Sequence, residues 1–270
     1  MKLAKLSIRH ETVYSYASTV GYTIQQLRLT PRTELLQRTS QWQITTKGSR
    51  QLQEDAYGNS SELLTITLPH QEVRIVASGI VEVQAPVAGR LPEHMLLSPL
   101  AFTVATHLAE VTASVRDFAA KFVSSSRVSS HDMLDLAQAI CHAVAYQSGA
   151  TLSTSTATDA LQLGKGVCQD HAHLFIACCH SVGIPVRYVS GYIDPGDVEH
   201  SASHAWVDVW VEDVDYSGWV SIDVTHACFQ HEGYCRLAVG RDYESAAPVR
   251  GVRRGGGEES LAVRVDISRL

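Results

Sequence analysis

Over residues 3–86 apolar and polar positions alternate in short runs broken by turn residues, the period-two pattern of half-buried strands. The runs are "KLSIRHETVYSYA", "TIQQLRLTP", "QWQITTKG", "ELLTITLP" and "EVRIVASGIVEVQA", and "DAYGNSS" supplies a turn between two of them. This predicts an antiparallel β domain. At "APVAGRLPEHM" the composition shifts, and Pro86, Gly89 and Pro92 mark a boundary. Apolar residues then recur at helical spacing. "TASVRDFAAKFV" aligns Val115, Phe118, Ala119 and Phe122, and "SSHDMLDLAQAICHAVAY" aligns Met133, Leu136, Ile140 and Val144 behind a serine cap. "TATDALQLGKG" predicts a short capped helix closed by glycine. Residues 167–181 contain neither proline nor glycine, and Gly183 with Pro185 ends the run, which predicts a further helix. The chain thus divides into an N-terminal antiparallel β domain, 1–88, and a mixed unit, 89–270.

Composition narrows the partners. A length of 270 residues supports a sizeable core, and 45% hydrophobic with 19% charged residues is ordinary for a globular protein. The formal net charge of -6 argues against nucleic acid as a partner. "MKLAKLSIRHETVYSY" carries no apolar run of signal-peptide length, and no stretch reaches the roughly 18 apolar residues of a membrane span. A cytoplasmic location is therefore expected, with the six cysteines as reduced thiols, the adjacent Cys178 and Cys179 included.

The chemistry starts at "GKGVCQDHAHLF". Cys168 falls in the first turn of the predicted helix, where backbone N–H groups and the helix dipole favour a thiolate. At 100° per residue Ala172, Phe175 and Cys179 share its face, so the same cysteine is also a candidate for plain core packing. The flanking glycines allow the close backbone approach that an oxyanion site needs. A metal site built from Cys168, His171 and His173 is disfavoured: on a helix His173 lies about 140° from Cys168, so the three cannot converge. Both histidines are expected at the helix surface or lining a cleft.

A cysteine nucleophile needs a histidine and a group that orients it. Alternation in "SASHAWVDVWVED" sets His204, Trp206, Asp208 and Trp210 opposite the aliphatic face, and in "SGWVSIDVTH" it does the same for Trp219, Ser221, Asp223 and Thr225. A hairpin joining the two strands, with a four-residue loop at 212–215, would put His204 directly across from Asp223 and Trp206 across from Ser221.

With Cys168, His204 and Asp223 in that order, the chain resembles the transglutaminase-like superfamily, and more closely its bacterial members with a family-specific N-terminal β region. The resemblance rests on "GVCQDHAHLF", "GIPVRYVSGY", "HAWVDVW", "GWVSIDVTH" and "VGRDYESAAPVRG", across most of residues 130–252, with "LRLTPR" and "DAYGN" resembling the N-terminal region. It implies an α+β fold, a papain-like cysteine transglutaminase core preceded by the antiparallel β domain. Cys168 would be the nucleophile, His204 the general base and acid, and Asp223 the residue orienting the imidazole. One departure stands out: the usual Asp-Pro-Thr followed by Asn reads Asp223-Val224-Thr225-His226, so the corner loses a fixed φ and His226 could compete for the aspartate. Arg241 in "GRDY" could form an ion pair or line the cleft.

The implied reaction is acyl transfer through a thioester on a protein or peptide amide, without cofactor or metal. An amine acceptor gives transamidation and water gives deamidation or proteolysis, so a cysteine peptidase or amidase on the same scaffold is the alternative enzyme. A non-catalytic interaction module, its triad unused and its β domain binding a partner, is the alternative of another class. Gln169, Tyr192, Trp206 and Trp219 are the candidate substrate-binding residues. The acidic loop "DPGDVEH", with Asp194, Asp197 and Glu199, is the one calcium candidate, and solvated surface is the simpler reading.

Overall fold

The computed structural model describes residues 3–92, 97–194, 196 and 203–270. The N-terminal region is organised around one strand of 25 residues, β1 (Leu3–Leu27), flanked in sequence by β2 (Gln37–Thr46), β3 (Ser49–Glu54), β4 (Ser60–Ile66) and β5 (His70–Gln84). They form an antiparallel sheet in the order β2-β5-β1-β4-β3. The alternating pattern predicts β1 as two strands. It stays one because it serves two half-sheets: the partner of Ser15 is Glu72, that of Val20 is His70, and the slack is absorbed as an irregularity in register.

The mixed region carries α1 (Ala113–Ala119), α2 (Ser130–Ala143), β6 (Ala145–Tyr146), α3 (Ala157–Leu163), β7 (Lys165–Gly166) and α4 (Cys168–His180). After them come β8 (Val186–Ile193), β9 (Ser203–Glu212), β10 (Ser217–Asp223), β11 (Cys228–Phe229), β12 (Tyr234–Gly240) and α5 (Tyr243–Ala246). Strands β11-β10-β9-β8-β12 make a five-stranded antiparallel sheet, and the aliphatic residues of β9 and β10 meet the helices on one of its faces. Met133, Leu136, Ile140 and Val144 are all buried, as their spacing predicts, whereas Phe122 is exposed.

The last two strands return to the start. β13 (Val249–Gly255) pairs with residues 20–27 of β1 and β14 (Glu259–Arg269) with residues 6–16. Residues 249–269, assigned to the second unit by composition alone, therefore complete the N-terminal sheet. Gly255, Gly256 and Gly257, all at positive φ, carry the chain from one pairing to the next.

The two regions are joined by buried polar chemistry. Asp208 on β9 is inaccessible to solvent and accepts from Arg187 on β8 (2.7 Å) and from both Nη1 (2.9 Å) and Nη2 (2.6 Å) of Arg236 on β12. Burial opposes its charge, but the two guanidiniums hold its pKa well below the carboxylate range. Arg236 also pairs with Glu34 (3.1 Å), and its backbone N–H donates to Gln37. The N-terminal sequence motifs supply the rest. Asn59 donates to the Val239 carbonyl (2.7 Å) and accepts its N–H (2.8 Å), standing in for a strand partner, while Arg32 donates to Asn59 and Arg28 pairs with Asp55.

The β9–β10 hairpin is shifted by two residues from the expected register. Ser217 pairs with Glu212 and Ser221 with Asp208, so the loop is 213–216, closed by the Asp213 N–H on the Tyr216 carbonyl and braced by Arg90 on Asp213 and Asp215.

Asp208→Ala leaves two buried guanidiniums without their carboxylate. It should lower folding stability by about 3–5 kcal/mol, measured by urea unfolding.

Candidate active site

Cys168 opens α4. The preceding glycines have local duties: Gly164 ends α3 in the left-handed conformation, and a Cβ on Gly166 would meet the Asp170 carboxylate at 2.7 Å. Asp170 accepts the Val167 N–H (2.7 Å) and the Thr151 hydroxyl (2.6 Å), fixing the turn that presents the thiol. The glycines thus seat the helix, where the sequence suggested backbone approach to a substrate.

Every residue of α4 from Asp170 through Cys179 is buried. The helix lies between the sheet and α1–α3 and has no solvent face, so His171 and His173 are interior groups. His171 shares its ring nitrogens with the Val144 carbonyl (2.8 Å) and the Thr225 hydroxyl (3.0 Å), and His173 accepts the Tyr243 N–H (3.1 Å).

His204 on β9 and Asp223 at the end of β10 meet at 2.7 Å, Nε2 to Oδ2. The shifted register makes this contact diagonal across the ladder, and the Trp206–Ser221 bond (3.0 Å) is diagonal in the same way. Nε2 being engaged with Asp223, Nδ1 is the other ring nitrogen, and Cys168 lines the same cleft as the ring and acts on its protonation. Burial on its own lowers the His204 pKa. The bonds to Asp223 and Cys168 and their charges outweigh it and raise the value to about 10.

Asp223 is fully buried and saturated with donors. Oδ2 accepts from His204, from His226 Nδ1 (2.7 Å) and from the Tyr234 hydroxyl (2.6 Å); Oδ1 accepts the backbone N–H groups of Thr225 (2.9 Å) and His226 (3.2 Å). Against burial, the bonds from the two histidines hold its pKa far below the carboxylate range. The corner that lacks a proline is closed by these Oδ1 bonds and by the Cys141 thiol on the Val224 carbonyl (2.7 Å). His226 shares the aspartate with His204 and does not displace it.

His204, Asp223 and His226 also form a three-donor group whose ligand atoms lie within 4.8 Å of one another. Both histidines sit 2.7 Å from the same oxygen, a proton-sharing distance. Ligands on one tetrahedral zinc stand about 3.3 Å apart, from metal–ligand bonds of about 2.0–2.1 Å.

A cleft of about 300 Å³ opens over Cys168 and His204. Of the four expected substrate-binding residues it includes Gln169 alone. Tyr192 is buried against the N-terminal sheet with its hydroxyl on His10 (2.7 Å), Trp206 is buried behind His204, and Trp219 is buried among Phe102, Trp210 and the Arg187 guanidinium. Large aromatics on these strands fill the interior. Unforeseen are His10, Thr12 and Tyr14 of β1 and Leu261 and Val263 of β14, which form a wall of the cleft. Their period-two spacing is visible in the sequence, but not what the face would meet. Arg241 donates to the Tyr57 hydroxyl (3.0 Å), and Asp242 caps α5. In the acidic loop Asp194 pairs with Arg269 (3.1 Å), while Asp197 and Glu199 lie outside the described residues. All six cysteines are free, and among the described residues no helix is long and apolar enough to cross a membrane.

The chain has relatives among known proteins. Residues 116–224 match the Transglutaminase-like superfamily core, and residues 6–82 match the Bacterial transglutaminase-like N-terminal region. The chain is 31% identical to an uncharacterized protein of Mycobacterium tuberculosis, over 96% of this chain and 91% of that one. It is 30% identical to an uncharacterized protein of Mycobacterium leprae, over 98% of this chain and 99% of the relative. Among solved structures it is similar to "a Putative Cysteine Protease from Cytophaga hutchinsonii", with a TM-score of 0.79 and 21% identity over 100% of this chain and 92% of that one; the likeness is one of fold.

In histidine-resolved NMR, His204 should stay an imidazolium through neutral pH and lose its proton near pH 10. The Asp223→Asn variant loses the partner charge, and the His204 pKa should fall well below that value. Because the folded value is raised, the stability that the pair contributes is complete below the unfolded value of 6.5 and fades as pH rises toward about 10. Urea unfolding at pH 6 and pH 10 should show wild type losing its advantage over Asp223→Asn at the higher pH.

Proposed function

The chain belongs to the transglutaminase-like superfamily, and on that premise we propose that it is a cysteine-dependent acyl-transfer enzyme acting on protein or peptide amides. The observation that carries this reading is the buried His204–Asp223 pair held against a cysteine at a helix N-terminus. A strand order that seats helices on one face of the antiparallel sheet, with the cysteine on the central helix, also supports a papain-like description of the core.

In the proposed cycle the Cys168 thiolate attacks the carbonyl carbon of a carboxamide. The C=O π electrons move first onto oxygen, where first-turn N–H groups of α4 that have no partner within the helix are available as donors, and as they return the C–N bond breaks with its electron pair going to nitrogen. His204 delivers its proton to the departing nitrogen, and ammonia or an amine leaves as the thioester forms. His204 then takes a proton from the acceptor, whose nucleophilic atom displaces sulfur and restores the thiolate–imidazolium pair. Asp223 keeps the ring in one tautomer and stabilises its charge. An amine acceptor yields a new amide, and water yields a carboxylate. The cysteine-protease description of the Cytophaga hutchinsonii protein makes hydrolysis the second reading. Six free thiols are compatible with a reducing, cytoplasmic setting.

Alkylation by iodoacetamide, followed residue by residue with peptide mass spectrometry, tests the reading. Cys168 should react rapidly below pH 7 in wild type, and this should collapse in His204→Ala; amide turnover in that variant should drop by about 10²–10⁴-fold. Reaction no faster than at the other five cysteines, rising only near the pH of a free thiol, would instead favour the interaction module.

A further inference from the structure

Resting on the acyl-transfer reading, we propose that the N-terminal sheet is the substrate-selecting half of the active site, and that the acyl donor is a polypeptide segment whose residues beside the reacting carboxamide are uncharged and apolar. The register of β1 against β14 pairs His10 with Val265, Thr12 with Val263 and Tyr14 with Leu261. Successive pairs two apart share one sheet face. This face lines the same cleft as Cys168 and Gln169, so catalytic and selecting surfaces come from different regions of the chain.

The wall is apolar where it is exposed. Leu261 and Val263 are 55% and 50% exposed at the cleft, and Tyr146 on the catalytic side is 59% exposed. Apolar groups left in water on both lips of a reactive cleft, and continuous with it, mark a surface that a ligand covers. Charge points the same way. Among the described residues, those lining the cleft include no carboxylate, ammonium or guanidinium. His10, the imidazole of this wall, has both ring nitrogens engaged by Tyr192 and Thr12, and burial pushes its pKa down to about 4, while burial pushes the Tyr14 phenol up, so both are neutral. An acidic or basic residue flanking the amide would thus be desolvated with no charged neighbour but the Cys168–His204 pair, whose charges already offset each other, whereas Leu261, Val263 and Tyr146 would cover an aliphatic or aromatic one.

The test uses peptides carrying a chloromethyl ketone at the position of the reactive carbonyl, flanked by leucine, by aspartate or by lysine. Labelling of Cys168 is followed by intact mass. Wild type should react with the leucine-flanked peptide about tenfold or more faster than with either charged one, the scale at which an apolar pocket discriminates. Leu261→Lys should invert the leucine-to-aspartate ratio, a readout independent of the fraction of protein folded. Fast iodoacetamide alkylation of wild type without any flank preference overturns this proposal alone. Slow alkylation overturns the acyl-transfer reading and this proposal with it.

Discussion

The buried carboxylate of Asp208 is the point on which the architecture hangs. It sits on β9, four residues beyond His204, and its two oxygens are shared between one guanidinium from the neighbouring strand and one from the strand beyond it: Arg187 on β8 and Arg236 on β12. Arg236 extends the network to Glu34 and Gln37, so one anion ties three strands of the core sheet to the N-terminal region. Charges buried this deeply tolerate neither solvent nor a missing partner, which makes the relative placement of the strands close to all-or-none. His204 inherits that rigidity through the backbone of its own strand.

Asp223 repeats the principle at the reacting end. Five hydrogen bonds converge on its carboxylate, two of them from the backbone that follows it, so the side chain builds the corner in which it is held. The superfamily places proline and asparagine here, and this chain has Val224 and His226. Val224 moves into the core, the Cys141 thiol braces its carbonyl, and His226 spends its Nδ1 on the aspartate. The corner keeps its shape because side-chain hydrogen bonds do what a fixed φ does elsewhere.

The return of the last two strands explains how the N-terminal β region comes to border Cys168. By running beside β1, β14 puts Leu261 and Val263 on the same face as Thr12 and Tyr14. The sheet therefore lines the same cleft as the first turn of α4.

Local periodicity was enough to read the strands of the N-terminal region other than β3, whose six residues are all exposed, the helices α2 to α4, and the faces of β9 and β10 that carry His204 and Asp223. Those properties follow from which side chains repeat at two or 3.6 residues and from where glycine, proline and serine interrupt them. The motif order identified the superfamily. Properties that depend on distant pairing were out of reach: the continuity of β1, the two-residue shift of the hairpin and the burial of Tyr192, Trp206 and Trp219. So was the second wall of the cleft, made by residues 10–14 and 261–263, some 250 positions apart. By itself the sequence determined which residues are the candidates for the chemistry and which face of each element they occupy. The tertiary structure alone decided what each face meets, because burial and ladder register are fixed by partners that no local pattern encodes.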